Sequence, residues 1–188
     1  MNRPKIRTRE ELKEYLNTEQ PLYWTSESKK DKFLDIFTAM PSHSLQRYMK
    51  LLRTTEYFYN NKRNAIFALL YLITRRRKNK LGQKLGIEIF ENTFAKGLHI
   101  FHAGNIVING NAIIGENCLL HGSNCIGNSG KGTAAPVIGN NVRIGVGAKV
   151  IGDVTIADNI TIAAGAVVVN SFLEEGITIA GIPARKIK

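Results

Sequence analysis

The sequence predicts an α+β chain: an N-terminal helical segment followed by a three-sided coil of short strands with one loop leaving it. Two observations carry this. An aliphatic residue recurs every sixth position from Ile108 to Val168, and composition changes abruptly near Gly82–Gly86. All 17 glycines lie at or after Gly82, and 11 of the 15 aromatic residues lie before residue 87. Residues 1–86 hold 19 Lys and Arg against 8 Asp and Glu, whereas residues 87–188 hold 7 of each. The boundary is therefore drawn between 1–85, helical, and 86–188, coiled.

The helical segment is read from caps and spacing. Thr8-Arg9-Glu10-Glu11 matches a capping box, in which hydroxyl and carboxylate satisfy free N–H groups at a helix start, and a helix to about Asn17 follows. Lys30 to Met40 and Ser44 to Asn60 place apolar residues at helical intervals, such as Leu45, Tyr48, Met49 and Leu52. Ala65 to Lys80 ends in Arg75-Arg76-Arg77-Lys78, cations suited to a helix C-terminus. That cluster reads first as a solvated helix end. Phosphates of a nucleic acid, an anionic membrane surface and an anionic cofactor are its other possible partners. No nucleic-acid motif accompanies it, so no nucleic-acid partner is expected.

The coil is read from the repeat. Ile108, Ile114, Leu120, Ile126, Ile138, Ile144, Val150, Ile156, Ile162 and Val168 share one frame. Small or β-branched residues follow four places later, as at Val142, Ala148, Val154, Ile160 and Ala166. Neither a period of 3.6 nor simple alternation gives a strict six. A short strand plus a tight turn does, with aliphatic side chains pointing inward on three sides and each coil covering its neighbour. Between Ile126 and Ile138 the frame breaks at Gly127, Gly130, Gly132 and Pro136, which marks an extruded loop. Loops on a rigid scaffold are where substrate contacts concentrate.

Other classes are set aside on composition. The opening MNRPKIRTREELKEYL is too polar for a signal peptide. The longest apolar run, Ala65 to Ile73, falls far short of the ~20 residues of a bilayer span, so no stable membrane insertion is expected. Cys118 and Cys125 cannot build a disulfide framework and fit a reducing, cytoplasmic setting.

From Gly86 onward the chain resembles the hexapeptide-repeat acyltransferases, and within them the serine O-acetyltransferase branch. The motifs that carry the resemblance are Gly86-Ile-Glu-Ile, Gly97-Leu-His-Ile-Phe-His-Ala-Gly, Ile144-Gly-Val-Gly-Ala-Lys-Val-Ile-Gly and Ala180-Gly-Ile-Pro-Ala-Arg-Lys-Ile. The resemblance implies a left-handed parallel β-helix and direct transfer of acetyl from acetyl-CoA to a hydroxyl, with no acetyl-enzyme. An alcohol needs a base to become a good nucleophile, and a histidine near neutrality suits the task. His102 matches the family's base. Glu88 matches the carboxylate that orients it, with Glu in place of the usual Asp and a spacing one residue shorter. Acetyl-CoA is the expected co-substrate, held by Gly145, Val146, Ala164 and Gly165, with Arg185 and Lys186 near its phosphates and Lys149 as a further candidate. No metal is expected. The family also implies a homotrimer, or a dimer of trimers, with each site at a subunit interface.

The acceptor side departs from the branch. Phe101 stands where an Asp precedes the base, and Ala134-Ala135 replace an Arg-His pair after the loop. His121 stands where glutamine is usual and is a candidate acceptor contact. Apolar groups in place of charges remove the grip on a zwitterion, so a saccharide or similar alcohol is the expected acceptor, with serine as the alternative. His99, three residues before His102, is expected to point to the opposite face and to be structural; His43 has no assigned role. The chain stops after Pro183-Ala-Arg-Lys-Ile-Lys, so docking into cysteine synthase is not expected. Two other classes are weighed. A γ-class carbonic anhydrase would need zinc on three histidines, but the spacing of His99, His102 and His121 differs from that pattern. A catalytically silent scaffold would use the basic helical segment as its interaction surface.

Overall fold

The first helix starts where polar side chains satisfy its free backbone N–H groups. In the computed structural model, which describes residues 2–23 and 28–188, α1 (Arg9–Glu19) opens on Thr8. The Thr8 hydroxyl accepts from the Glu11 N–H at 3.1 Å, and the Glu11 carboxylate accepts from the Thr8 N–H at 3.0 Å. Donation from the Arg7 N–H at 2.6 Å, and then from the Thr8 N–H, holds the Glu11 carboxyl below its ordinary pKa. A 3-10 turn (Gln20–Tyr23) follows, then α2 (Lys29–Phe37), α3 (Pro41–Asn60) and α4 (Ala65–Leu85). The expected helices are all present, with shifted ends. α3 begins three residues early because Pro41 occupies its first turn, where a missing N–H leaves no bond unmade. α4 runs five residues past Lys80.

The chain divides into two compact units: Lys5–Leu85, and Gly86–Lys188 joined by the start of the chain up to Pro4. In the first, α3 packs on α4 and α1 on α3, burying Leu45, Tyr48, Met49 and Leu52. That core also holds a charge cluster. Arg53, Glu19 and Glu56 are all buried, with Arg53 Nη2 2.7 Å from Glu19 Oε1 and Nη1 2.8 Å from Glu56 Oε2. The guanidinium also lies 4.9 Å from the Tyr15 ring centroid. Burial opposes its charge, but Glu19 and then Glu56 outweigh that and hold Arg53 above its ordinary pKa. The basic run on α4 is not uniformly solvated either: Lys78 is buried, and Arg75 lies 5.7 Å from the Tyr71 ring centroid. No helix among the described residues is long and apolar enough to cross a membrane.

The second unit is a three-faced coil of parallel strands. Face one stacks β1 (Ile87–Ile89), β3 (Ile106–Ile108), β6 (Cys125–Gly127), β9 (Lys149–Ile151) and β12 (Val167–Val168). Face two stacks β4 (Ile113–Ile114), β7 (Val137–Ile138) and β10 (Thr155–Ile156), extended by single bridges at Phe94 and Phe172. Face three stacks β2 (His99–Ile100), β5 (Leu119–Leu120), β8 (Arg143–Ile144), β11 (Thr161–Ile162) and β13 (Thr178–Gly181), with β14 (Ala184–Lys186) antiparallel at its edge. The six-residue frame supplies the inward row: Leu120, Ile144 and Ile162 are in register with each other and with Ile100 and Ile179 at the two ends, and all five are essentially solvent-free. The loop leaves between β6 and β7, as its glycines and Pro136 predict.

Tight stacking also fixes which corner residues can carry a side chain. A Cβ on Gly145 would lie 2.5 Å from the Ala164 nitrogen and 2.8 Å from the Ala163 carbonyl carbon. Gly145→Ala should therefore force the coils apart and lower stability by about 1–3 kcal/mol. Gly132→Ala, where nothing lies within 4 Å, should leave it unchanged. Urea unfolding of both variants checks this, and equal stabilities would contradict it.

Candidate active site

One corner of the coil breaks the six-residue rule, and it carries His102. Phe101, His121 and Gly145 are equivalent: their N–H groups donate to Leu120, Ile144 and Ile162 at 2.8, 3.0 and 2.8 Å. Gly104, Gly122 and Val146 are equivalent as acceptors from Ser123, Gly147 and Gly165 at 3.0, 2.9 and 2.9 Å. Between Phe101 and Gly104 stand two residues, His102 and Ala103, which have no counterpart in the coils below. The widened corner places His102 on an exposed projection rather than in the stacked wall.

Beneath it lies Gly122, with φ +113°. A Cβ there would meet the His102 carbonyl oxygen at 3.1 Å and the His102 Cβ at 3.2 Å, so any side chain would displace the corner. Asn124, fully buried, ties this floor down. Its Oδ1 accepts from the Gly122 N–H at 2.9 Å, and its Nδ2 donates to the Gly145 carbonyl at 2.8 Å. Sequence reasoning pointed to neither Gly122 nor Asn124. A signal existed for Asn124: a polar residue fills a slot that is otherwise Val, Ile or Ala in the repeats from Val142 to Ala166.

The three remaining rings of this region form a column. Phe101 lies 4.3 Å from His99 and 4.8 Å from His121, nearly parallel to the latter at 10°, and 6.5 Å from the His102 ring. Burial, and then the neighbouring His121, hold His99 below its ordinary pKa of 6.5. A histidine depressed by folding binds its proton more readily when unfolded, so its contribution is full above about pH 6.5 and is lost as pH falls below it. Thermal unfolding should thus shift to lower temperature as pH falls from neutrality through this range, and His99→Gln should flatten that slope. An unchanged slope would contradict the assignment.

The other expected residues lie as follows. Glu88 is exposed at the centre of β1, in register with Val107 of β3, the strand entered from the His102 corner. Val146, Ala164 and Gly165 are exposed along the continuation of that corner, while Gly145 is filled from below by the next coil. Gly147 and Gly165, both at positive φ, are open: a Cβ added at either would meet no atom within 4 Å. Arg185 and Lys186 are exposed on β14, at the opposite edge of face three from β2. Five strand spacings of ~4.8 Å separate them from His99, roughly 24 Å. Lys186 is paired with Glu174 at 2.6 Å, and Lys149 Nζ donates to the Gly147 carbonyl at 3.2 Å. In the loop, Ala134 is exposed and Ala135 is buried; Asn111 Nδ2 donates to the Thr133 carbonyl at 3.0 Å. Cys118 is buried and its thiol is pushed up to about 12, whereas Cys125 is half-buried on face one. No cluster of three or more His, Cys, Asp or Glu able to hold a metal ion occurs among the described residues.

Comparison with known proteins places this architecture. The bacterial transferase hexapeptide family (six repeats) matches residues 135–170. Serine acetyltransferase of Synechococcus elongatus is 38% identical over 105 residues, covering 54% of this chain and 43% of the relative. That of Staphylococcus xylosus is 35% identical over 133 residues, covering 69% and 58%. The crystal structure of serine acetyltransferase from Brucella abortus superposes with a TM-score of 0.69 at 22% identity, over 95% of this chain and 70% of that one. The chain spans about half the length of the curated relatives it matches. It is a hexapeptide-repeat chain with a left-handed β-helix, similar in sequence and fold to serine acetyltransferases.

Proposed function

We propose that this hexapeptide-repeat, serine acetyltransferase-like chain transfers acetyl from acetyl-CoA to an acceptor hydroxyl, with His102 as the base. The observation that carries the reading is the two-residue widening that projects His102 at the head of an open, small-residue edge. Acetyl-CoA supplies the activated acetyl group. His102 takes the hydroxyl proton as the acceptor oxygen forms its bond to the acetyl carbon. When the carbon–sulfur bond breaks, the imidazolium returns that proton to the departing sulfur. Glu88 orients the imidazole and stabilises its charged form. Val146, Ala164, Gly147 and Gly165 let the long pantetheine arm approach backbone, with Gly145 serving the coil beneath it. Arg185 meets the phosphates at the far edge, and Lys186 joins it by exchanging Glu174 for phosphate. A cytoplasmic setting agrees with two free thiols.

Serine is the acceptor that the relatives' names favour. A second reading, a neutral hydroxyl such as that of a saccharide, is favoured by Phe101, whose ring stands beside His102 where a charge would grip an ammonium. Turnover numbers for serine and for a panel of sugars and nucleotide sugars separate the two. Serine as the best acceptor by kcat/KM sinks the saccharide reading, and turnover of a sugar alone sinks the serine reading.

The assembly we propose is a trimer, and by extension a dimer of trimers. Exposed Val107 (46%) and Val146 (52%) on the coil, and Ile66 (68%), Leu69 (58%) and Leu72 (59%) on α4, are apolar surfaces that self-association would cover. Light scattering should return a multiple of three chains; a monomer or simple dimer would overturn the proposal.

A further inference from the structure

The widened corner raises a question that His102 alone does not answer: what keeps it in one place? His102 and Ala103 are both exposed, and Gly104 follows with φ +109° and nothing within 4 Å of a Cβ. Downstream, the Gly104 carbonyl accepts from the Ser123 N–H at 3.0 Å, so the backbone is held there while the side chains of His102 and Ala103 are not packed. Upstream, Phe101 is directly bonded to His102 and, though 43% exposed, has two imidazoles against it. The 4.8 Å separation and 10° tilt to His121 match the spacing of adjacent parallel strands. The register His99↔Leu119 and Ile100↔Leu120 brings the two coils into line, so the stack is built by the fold. His99 is the same-side neighbour two residues upstream at 4.3 Å.

We infer that His99, Phe101 and His121 act as a single ring column that fixes the pose of the His102 corner, which makes His99 and His121 positioning residues. The inference rests on His102 being the base proposed above. It gives His121 a packing task, because its ring face lies against Phe101, while its in-plane nitrogens remain able to hydrogen-bond. It also gives His99 a task. The two side chains act through flatness and contact area, not through a ring nitrogen. Aromatic rings at these separations attract beyond their buried area, and the two imidazoles favour one pose of Phe101 although its ring is 43% exposed. Phe101 thus makes this part of the site an apolar wall.

The test separates a ring from a nitrogen. His121→Phe keeps the flat face and removes the nitrogens, whereas His121→Ala removes both. Phe101→Leu, which keeps apolar bulk without the ring, serves as a second variant if His121→Ala fails to fold. Two readouts are taken on the full chain: kcat and KM with the best acceptor, and the imidazole NMR signals of His102, assigned with His102→Gln. The column predicts that His121→Phe recovers most of the kcat lost in His121→Ala and leaves the His102 signals in place. His121→Ala and Phe101→Leu should lower kcat by about 10- to 100-fold with KM little changed, and should shift or broaden the His102 signals. The inference is overturned if His121→Phe is as impaired as His121→Ala, or if His102 signals are the same in all variants. Wild-type protein that turns over no acceptor would sink the acetyltransferase reading separately, and the NMR comparison would still decide the column.

Discussion

Arg53→Ala is expected to destabilise the Lys5–Leu85 unit by about 3–5 kcal/mol. The reason is what it leaves behind. Glu19 and Glu56 are both buried, and Arg53 gives Glu19 two bonds, Nη2 to Oε1 at 2.7 Å and Nε to Oε2 at 3.0 Å. Without the guanidinium, two buried carboxylates lose the cation that bonds them both. Replacing all three residues at once, as Glu19→Leu, Arg53→Met and Glu56→Leu, removes the charges together and should lie close to wild type. Urea unfolding of the full chain, followed by helical signal, makes the comparison. A single variant within about 1 kcal/mol of wild type would contradict the cluster's role.

His102→Ala is expected to lower kcat by about 10²–10⁴, the usual range for losing a positioned base. Stability should change little, because His102 is exposed and belongs to the two residues that the stacked wall does not use. KM for acetyl-CoA should also hold, since the open edge along Val146 and Gly165 is untouched. Glu88→Gln should have the smaller effect, acting only on the orientation and charge of the imidazole. Circular dichroism together with initial rates checks all four statements. A variant that retains most of its activity would remove His102 from the chemistry and leave the fold intact.

Much of this was legible in the sequence because the relevant forces are local or strictly periodic. The Thr8 capping box lies within four residues, and the inward row repeats every six, so both are visible along the chain. The features that were not legible depend on register between coils. Phe101 and His121 are 20 residues apart and stack only because β2 and β5 pair in line. Alternation along an extended strand puts His99 on the same side as Phe101, two residues on. The widened corner was hidden for a related reason. Ile100 lies eight residues before Ile108, so the frame read from Ile108 onward never reached it. Arg53 was missed because helical periodicity counts apolar residues, and a buried guanidinium sits on the apolar face without being apolar.

The central claim is acceptor-dependent acetyl transfer, and the measurement that meets it most directly is thiol release from acetyl-CoA by wild-type protein, with O-acetyl product followed by NMR. The account predicts release only when a hydroxyl acceptor is present, one ester formed per thiol, and loss of both in His102→Ala. Thiol release that needs no acceptor, or no release with serine or any sugar by folded protein, would contradict it.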